Sequence, residues 1–251
     1  MPKFFIKTDN IKENEEIHII GNDVNHLKNV LRKKVDDKIT VCNSDTSINY
    51  ECIIIEIEEN EIICKIVNEE ESVSESKLNI TIFQGLPKAD KMELIIQKAT
   101  ELGVKNIVPV NTKRTIVKLK DKDKQNKVSR WQKIAEVAAK QSGRDMIPKI
   151  ENIIDISNLE FNEYDKILVL YENEERVSIK DEIEKIKNSN KENLEIGIII
   201  GPEGGLDDTE IEKLKLKSNV SVVTLGKRIL RTETVALVVS GILMYELGDL
   251  N

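Results

Sequence analysis

The chain has 251 residues, 39% hydrophobic and 33% charged, which supplies enough apolar material for a packed core and is not the composition of a disordered chain. No stretch approaches eighteen uncharged apolar residues, and the N-terminal run Phe4-Phe5-Ile6 is too short for a signal peptide, so a cytoplasmic protein with no membrane partner is expected. The net charge of −7 argues against a polyanionic ligand only until its distribution is considered. Glu51 to Ser76 carries nine acidic residues and one lysine, whereas Lys113 to Lys149 carries twelve Lys or Arg against four Asp or Glu. Steering depends on the field within roughly 8 Å at physiological salt, so the basic segment is a candidate RNA contact; the plainer reading is a solvated loop and helix face.

Through Val67 the chain reads as short β-branched strands: Phe4 to Ile6, Ile17 to Ile20, Lys38 to Val41, Tyr50 to Ile57 and Glu61 to Val67. Asn25 to Arg32 has helical apolar spacing. One helix among five strands predicts a small β-barrel. Cys42, Cys52 and Cys64 fall in these strand segments without any C-x-x-C spacing, and the only histidines are His18 and His26. The thiols are read as small buried hydrophobes and no metal site is expected. Residues 68–77 are polar and aperiodic, which sets a boundary between domains at 1–72 and 73–251.

Beyond the boundary, strands and helices alternate. Leu78 to Phe83 is a strand, and Asp90 caps a helix that ends at Gly103. Ile107 to Val110 is a second strand, and a lysine-rich loop precedes a helix opening at Ser129. Further strands are expected at Lys166 to Tyr171, Leu194 to Ile200 and Val220 to Leu225. The helices between and after them are 178–188, 207–217 and Thr232 to Leu247. This alternation predicts an α/β domain with a mostly parallel sheet covered on both faces.

Two segments carry chemistry. Ile200-Gly201-Pro202-Glu203-Gly204-Gly205-Leu206 follows a buried strand, where α/β sheets bind ligands, and its glycines allow close backbone approach. Leu225-Gly226-Lys227-Arg228-Ile229-Leu230-Arg231-Thr232-Glu233-Thr234 follows another, with Thr232 or Thr234 able to cap the next helix. Together they can line one mainly apolar pocket. A plain turn and a local Arg231–Glu233 ion pair are the alternatives. P-loop, G-x-G-x-x-G and G-x-S-x-G patterns are absent.

Several stretches, in order along nearly the whole chain, resemble the bacterial 16S ribosomal RNA uridine N3-methyltransferase family of the SPOUT superfamily. They are His26 to Arg32, Leu86-Pro87-Lys88, Lys91 to Leu94, Lys98 to Gly103, Arg130-Trp131, Ala138 to Arg144, the glycine loop and Leu225 to Thr234. The resemblance implies an N-terminal PUA-like barrel for RNA and a C-terminal SPOUT α/β domain threaded as a trefoil knot. It implies a homodimer with active sites at the subunit interface, S-adenosylmethionine as methyl donor with S-adenosylhomocysteine as product, and uridine 1498 of 16S rRNA, free or in the small ribosomal subunit, as target. Lys227 stands where proline is common in the family, Val235 where alanine is, and Val35-Asp36-Asp37 where a glycine precedes the aspartate.

On this basis Leu170, Gly201, Leu225, Gly226, Ile229 and Leu230 are expected to hold the donor. Arg231 and Arg144 are candidates for stabilising charge on the uracil oxygens, and Glu233 for accepting the N3 proton; Arg144 serves equally as a phosphate contact. Arg32, Lys33, Lys34, Lys113 and Arg114 are expected to touch RNA. Two rivals are a non-catalytic RNA-binding or ribosome-assembly protein, which would have no donor affinity, and a SPOUT enzyme acting on a 2′-hydroxyl of tRNA.

Overall fold

The computed structural model describes residues 3–12, 14–72, 74–189 and 191–250. They divide into two units. The first holds residues up to Glu75 together with Ala139–Ile147; the second holds Ser76–Ala138 and everything from Pro148 onward.

In the first unit, β1 (Phe4–Ile6), β2 (Glu16–Ile20), β3 (Lys38–Asn43), β4 (Asn49–Ile57) and β5 (Glu61–Glu70) form one sheet in the order β1-β3-β4-β5-β2. The expected barrel is therefore a curled, open sheet: β1 and β2 are its edges and do not pair with each other. Strand β5 runs three residues into the stretch expected to be linker, because Glu69 and Glu70 still find ladder partners in Tyr50 and Asn49. A helical turn, α1 (Asn22–Asn25), widens at His26, where the Leu31 N–H reaches the His26 carbonyl at 2.9 Å. Alternating inward residues, among them Ile17, Ile19, Val41, Ile54 and Ile62, build the core with Leu27. Burial pushes the thiols of Cys52 and Cys64 up to about 12, as expected of inert core residues.

Residues 139–147, which return to this unit, are clasped by Ser72, Ser74 and Glu75. The fully buried carboxylate of Asp145 accepts from Lys3, from Ser72 Oγ at 2.8 Å and from Ser74 Oγ at 2.7 Å. Glu75 accepts from Arg144 Nη2 at 2.6 Å and from the backbone N–H groups of Asp145 and Met146 at 2.9 and 3.2 Å. Each carboxylate has one cationic donor, Lys3 or Arg144, and further hydroxyl or backbone N–H donors, which is what lets two carboxylates sit in a low-dielectric site.

The second unit runs β6 (Asn79–Gly85), α2 (Lys91–Glu101), β7 (Asn106–Asn111), α3 (Asp121–Ser142), β8 (Lys149–Ile150), β9 (Ile154–Asp155), β10 (Lys166–Leu170), α4 (Ile179–Lys187), β11 (Glu195–Ile200), α5 (Asp208–Lys215), β12 (Val220–Val223) and α6 (Thr232–Leu247). Helix α3 begins eight residues before Ser129. Asp121 and Asp123 in its first turn complement the helix dipole, and the lysines that suggested a loop are good helix formers. The sheet is parallel throughout, in the order β12-β10-β11-β6-β7-β8, with β9 on β7. Near-continuous apolar strands such as Ile167 to Leu170 and Ile196 to Ile200 are buried, as the covering helices require.

One buried charge ties α4 to the strands that matter below. Glu182, 2% exposed, takes Lys166 of β10 at 2.8 Å, Lys185 at 2.6 Å and Ser221 Oγ of β12 at 2.9 Å. Burial works to raise its carboxyl, but the bonds from Lys166, Lys185 and Ser221 outweigh it and hold the group at about 2, against an ordinary 4.5. A carboxyl that resists protonation only when folded contributes stability above the ordinary value and loses it as pH falls from about 5 towards 2. Glu182→Ala should therefore cost about 3 kcal/mol at pH 7. Urea midpoints of Glu182→Gln should fall less steeply over that acid range than those of the parent chain.

Candidate active site

The sheet registers bring four strand ends to one level. Leu170 pairs with both Ile200 and Val223, and Ile200 pairs with Gln84. The loops leaving β10, β11 and β12 thus start side by side, at the carboxyl edge where parallel sheets bind ligands. Between them lies a cavity of about 1110 Å³. Its walls include Leu170, Val223, Leu225 and Leu230, the backbone of Gly201 to Gly205, and the carboxylates Glu172, Glu174 and Glu175. Leu170, Gly201, Leu225, Gly226, Ile229 and Leu230 all line it, as do Arg231 and Lys91.

The glycine turn is closed by backbone contact. A Cβ on Gly201 would lie 2.7 Å from the carbonyl carbon of Gly205 and 3.0 Å from the Leu206 nitrogen, and one on Gly85 would lie 2.6 Å from Pro202. Gly205 has φ +69°, and a Cβ there would strike the Glu172 carboxylate. The need for glycine at position 201 is thus set by the turn folding on itself. Thr232 opens α6 but does not cap it: the cap residue is Arg231, with no side-chain cap bond. The Thr232 hydroxyl instead donates to the Gly201 carbonyl at 2.7 Å and accepts from Gln84 Nε2 at 2.9 Å. These two buried bonds lock the end of β6, the glycine turn and the start of α6 together; nothing in sequence spacing pointed to Gln84.

The charges sort into paired and unpaired. Lys91 bridges Glu203 at 3.0 Å and Glu233 at 3.4 Å, and the hydrogen bond it donates to Glu203 raises its ammonium above the ordinary lysine value. Burial tends to raise the Glu203 carboxyl, but the bonds from Lys91 and the Lys88 N–H bring it below the usual range. Glu233 Oε2 is buried, with the Lys91 ammonium at 3.4 Å as its partner. Lys91 was legible in principle: a lysine at the first position of a helix opposes the dipole and calls for carboxylate partners. Lys113 and Arg114 are engaged within the unit, Lys113 on Asp207 at 3.3 Å and on Thr209, Arg114 on the Gly204 carbonyl at 3.1 Å. The side chain of Arg231 makes no ion pair or hydrogen bond among the described residues, so the alternative of a local pair with Glu233 does not form.

In the other unit, Arg144 is buried, its guanidinium on Glu75. Arg32 stands exposed at φ +51° and Lys34 is exposed, while the Lys33 ammonium caps the Lys38 carbonyl at 3.0 Å. No group of three or more His, Cys, Asp or Glu among the described residues is arranged to hold a metal ion, and no helix is long and apolar enough to cross a membrane.

An RNA methyltransferase domain model matches residues 74–244, and an RNA methyltransferase PUA domain model matches residues 19–67. Ribosomal RNA small subunit methyltransferase E of Bacillus subtilis is 34% identical over 98% of this chain and 97% of its own length. The chain belongs to this methyltransferase family. A crystal structure of Ribosomal RNA small subunit methyltransferase E from Neisseria gonorrhoeae, bound to S-adenosylmethionine, superposes over the full length of both chains, with TM-score 0.83 and 30% identity. A protein from Legionella pneumophila, in complex with the same compound, has TM-score 0.83 and 26% identity over 99% of both chains. The methyltransferase match takes in every residue that lines the cavity.

Proposed function

We propose that this protein transfers a methyl group from S-adenosylmethionine to N3 of a uridine in small-subunit ribosomal RNA, the family target at position 1498. The observation that carries the reading is the level convergence of Leu170, Ile200 and Val223 on one cavity walled by the glycine turn and the Leu225–Arg231 loop. The cavity suits the donor: it is large enough for a nucleoside, apolar at Leu170, Val223 and Leu225, and supplied with carboxylates that match a sulfonium, an amine and ribose hydroxyls. Bound there, the donor would supply an electrophilic methyl group. Gly201, Gly226, Ile229 and Leu230 would hold it through their backbone, and Leu170 and Leu225 through apolar contact.

The chain's own work is to orient the base, accept the N3 proton and stabilise the charge that spreads onto the uracil oxygens. Arg231 is assigned the last task, since its fork is unpaired at the cavity wall. Glu233, whose buried Oε2 has only the Lys91 ammonium at 3.4 Å beside it, is assigned the proton. Arg144, sequestered by Glu75, is assigned to shaping the first unit, where Arg32 and Lys34 are left to meet phosphates. Lys113 and Arg114 stay exposed enough for a second, weaker phosphate contact.

The reading carries with it the SPOUT knot, a cytoplasmic site of action and a homodimer. Helix α6 supports the dimer: apart from Glu233 and Glu246 it is uncharged and apolar nearly all round, yet Val238 and Tyr245 are exposed. A helix of that kind is normally covered. Sedimentation equilibrium should give twice the chain mass. Mapping modified nucleotides in 16S rRNA from cells with and without the protein tests the activity: one N3-methyluridine should disappear, and an unchanged map would refute it.

A further inference from the structure

The loop between β12 and α6 differs from the rest of the cavity wall. Gly226, at φ +101° with open space where a side chain would be, turns the chain outward, and its N–H is held by Thr224 Oγ1 at 3.1 Å. At the tip, Lys227, Arg228 and Ile229 are exposed, Ile229 to 85%. Neither Lys227 nor Arg228 makes an ion pair or side-chain hydrogen bond among the described residues. Lys113 and Arg114, the latter bonded to the Gly204 carbonyl of the cavity wall, are engaged by Asp207, whereas Lys227 and Arg228 are two adjacent cations left open beside an exposed isoleucine.

We propose that Lys227, Arg228 and Ile229 form an RNA-gripping lip: the two cations hold the phosphates flanking the target nucleotide, and the Ile229 side chain takes the place of the base drawn out of the stack. This rests on the reading of the cavity as the donor site of an RNA methyltransferase. The chemistry fits the task. N3 of uracil lies in the pairing edge, so the base must leave its stack before it can react. Proteins that open a stack use apolar wedges such as isoleucine, steadied by cations on the adjoining phosphates. Charge decides the occupant: an apolar partner would cover Ile229 but leave Lys227 and Arg228 unmatched, whereas a polyanion engages all three.

The test is binding of a 16S rRNA transcript by the full-length protein between 50 and 200 mM salt, with calorimetric titration of S-adenosylmethionine alongside. The Lys227→Ala/Arg228→Ala variant should make the fall of log K with log salt less steep by about 1.4–1.8, at roughly 0.7–0.9 per phosphate contact. Ile229→Ala should keep the slope but slow single-turnover methylation about tenfold, with recovery in Ile229→Leu. An unchanged slope in the double variant, while the parent chain binds both RNA and donor, overturns the lip alone. Dissociation of Ile229→Ala into monomers also overturns it and gives the tip to subunit contact. Failure of the parent chain to bind donor overturns the underlying reading and the lip together.

Discussion

Gly201→Val should abolish S-adenosylmethionine binding, raising Kd at least a hundredfold, about 3 kcal/mol. The valine Cβ would begin 2.7 Å from the Gly205 carbonyl carbon and 3.0 Å from the Leu206 nitrogen, and these are backbone atoms that cannot rotate away. Relief requires the turn to open. Opening pulls the Gly201 carbonyl off the Thr232 hydroxyl, leaving that buried O–H without its acceptor. The damage therefore reaches the glycine turn and the start of α6 together, and the melting temperature should fall as well. Calorimetric titration reads the affinity directly; a variant that binds as tightly as the parent chain would show that this turn is no part of the donor site.

Arg231→Ala should lower the methylation rate constant 10²–10³-fold, about 2.7–4 kcal/mol, as loss of one well-placed donor to a developing oxyanion does elsewhere. Its effect on the fold should be within about 0.5 kcal/mol, because the guanidinium is exposed and holds no other group in place. Donor affinity should stay within a few-fold. Arg231→Lys should recover only part of the rate, since an ammonium lacks the planar fork. Single-turnover assays at saturating RNA separate this from binding; full turnover by the alanine variant would remove Arg231 from the chemistry.

Much of the second unit was legible because its signals are local. The apolar runs at Ile167 and Ile196 and the glycine and cap residues between them fix strand–helix alternation without knowledge of neighbours. What escaped was long-range. Glu69 and Glu70 extend β5 because β4 offers them partners, which polar composition does not reveal. The first helix-forming residues of α3 read as a loop because lysine runs suit either state. Residues 139–147 belong with the first unit through Asp145 and Arg144, partners some seventy residues or more from Ser72, Ser74, Glu75 and Lys3.

At the site, sequence order placed two loops after two strands, and the register then set them level with a third. Which cations are open to a ligand could not be read that way. Lys113 and Arg114 sit in the most basic stretch of the chain yet face Asp207 from a distant turn, whereas Lys227, Arg228 and Arg231 sit in an ordinary stretch and face no carboxylate within ion-pair distance. Net local charge along a sequence counts residues near in number, while the field at a ligand counts those near in space.

The most direct test supplies the purified protein with methyl-labelled S-adenosylmethionine and small-subunit rRNA, then digests the RNA to nucleosides and identifies the labelled one. The account predicts label on N3 of a single uridine, with none transferred by Gly201→Val. Label on a ribose oxygen, or none from the parent chain on either free rRNA or assembled subunit, would contradict it.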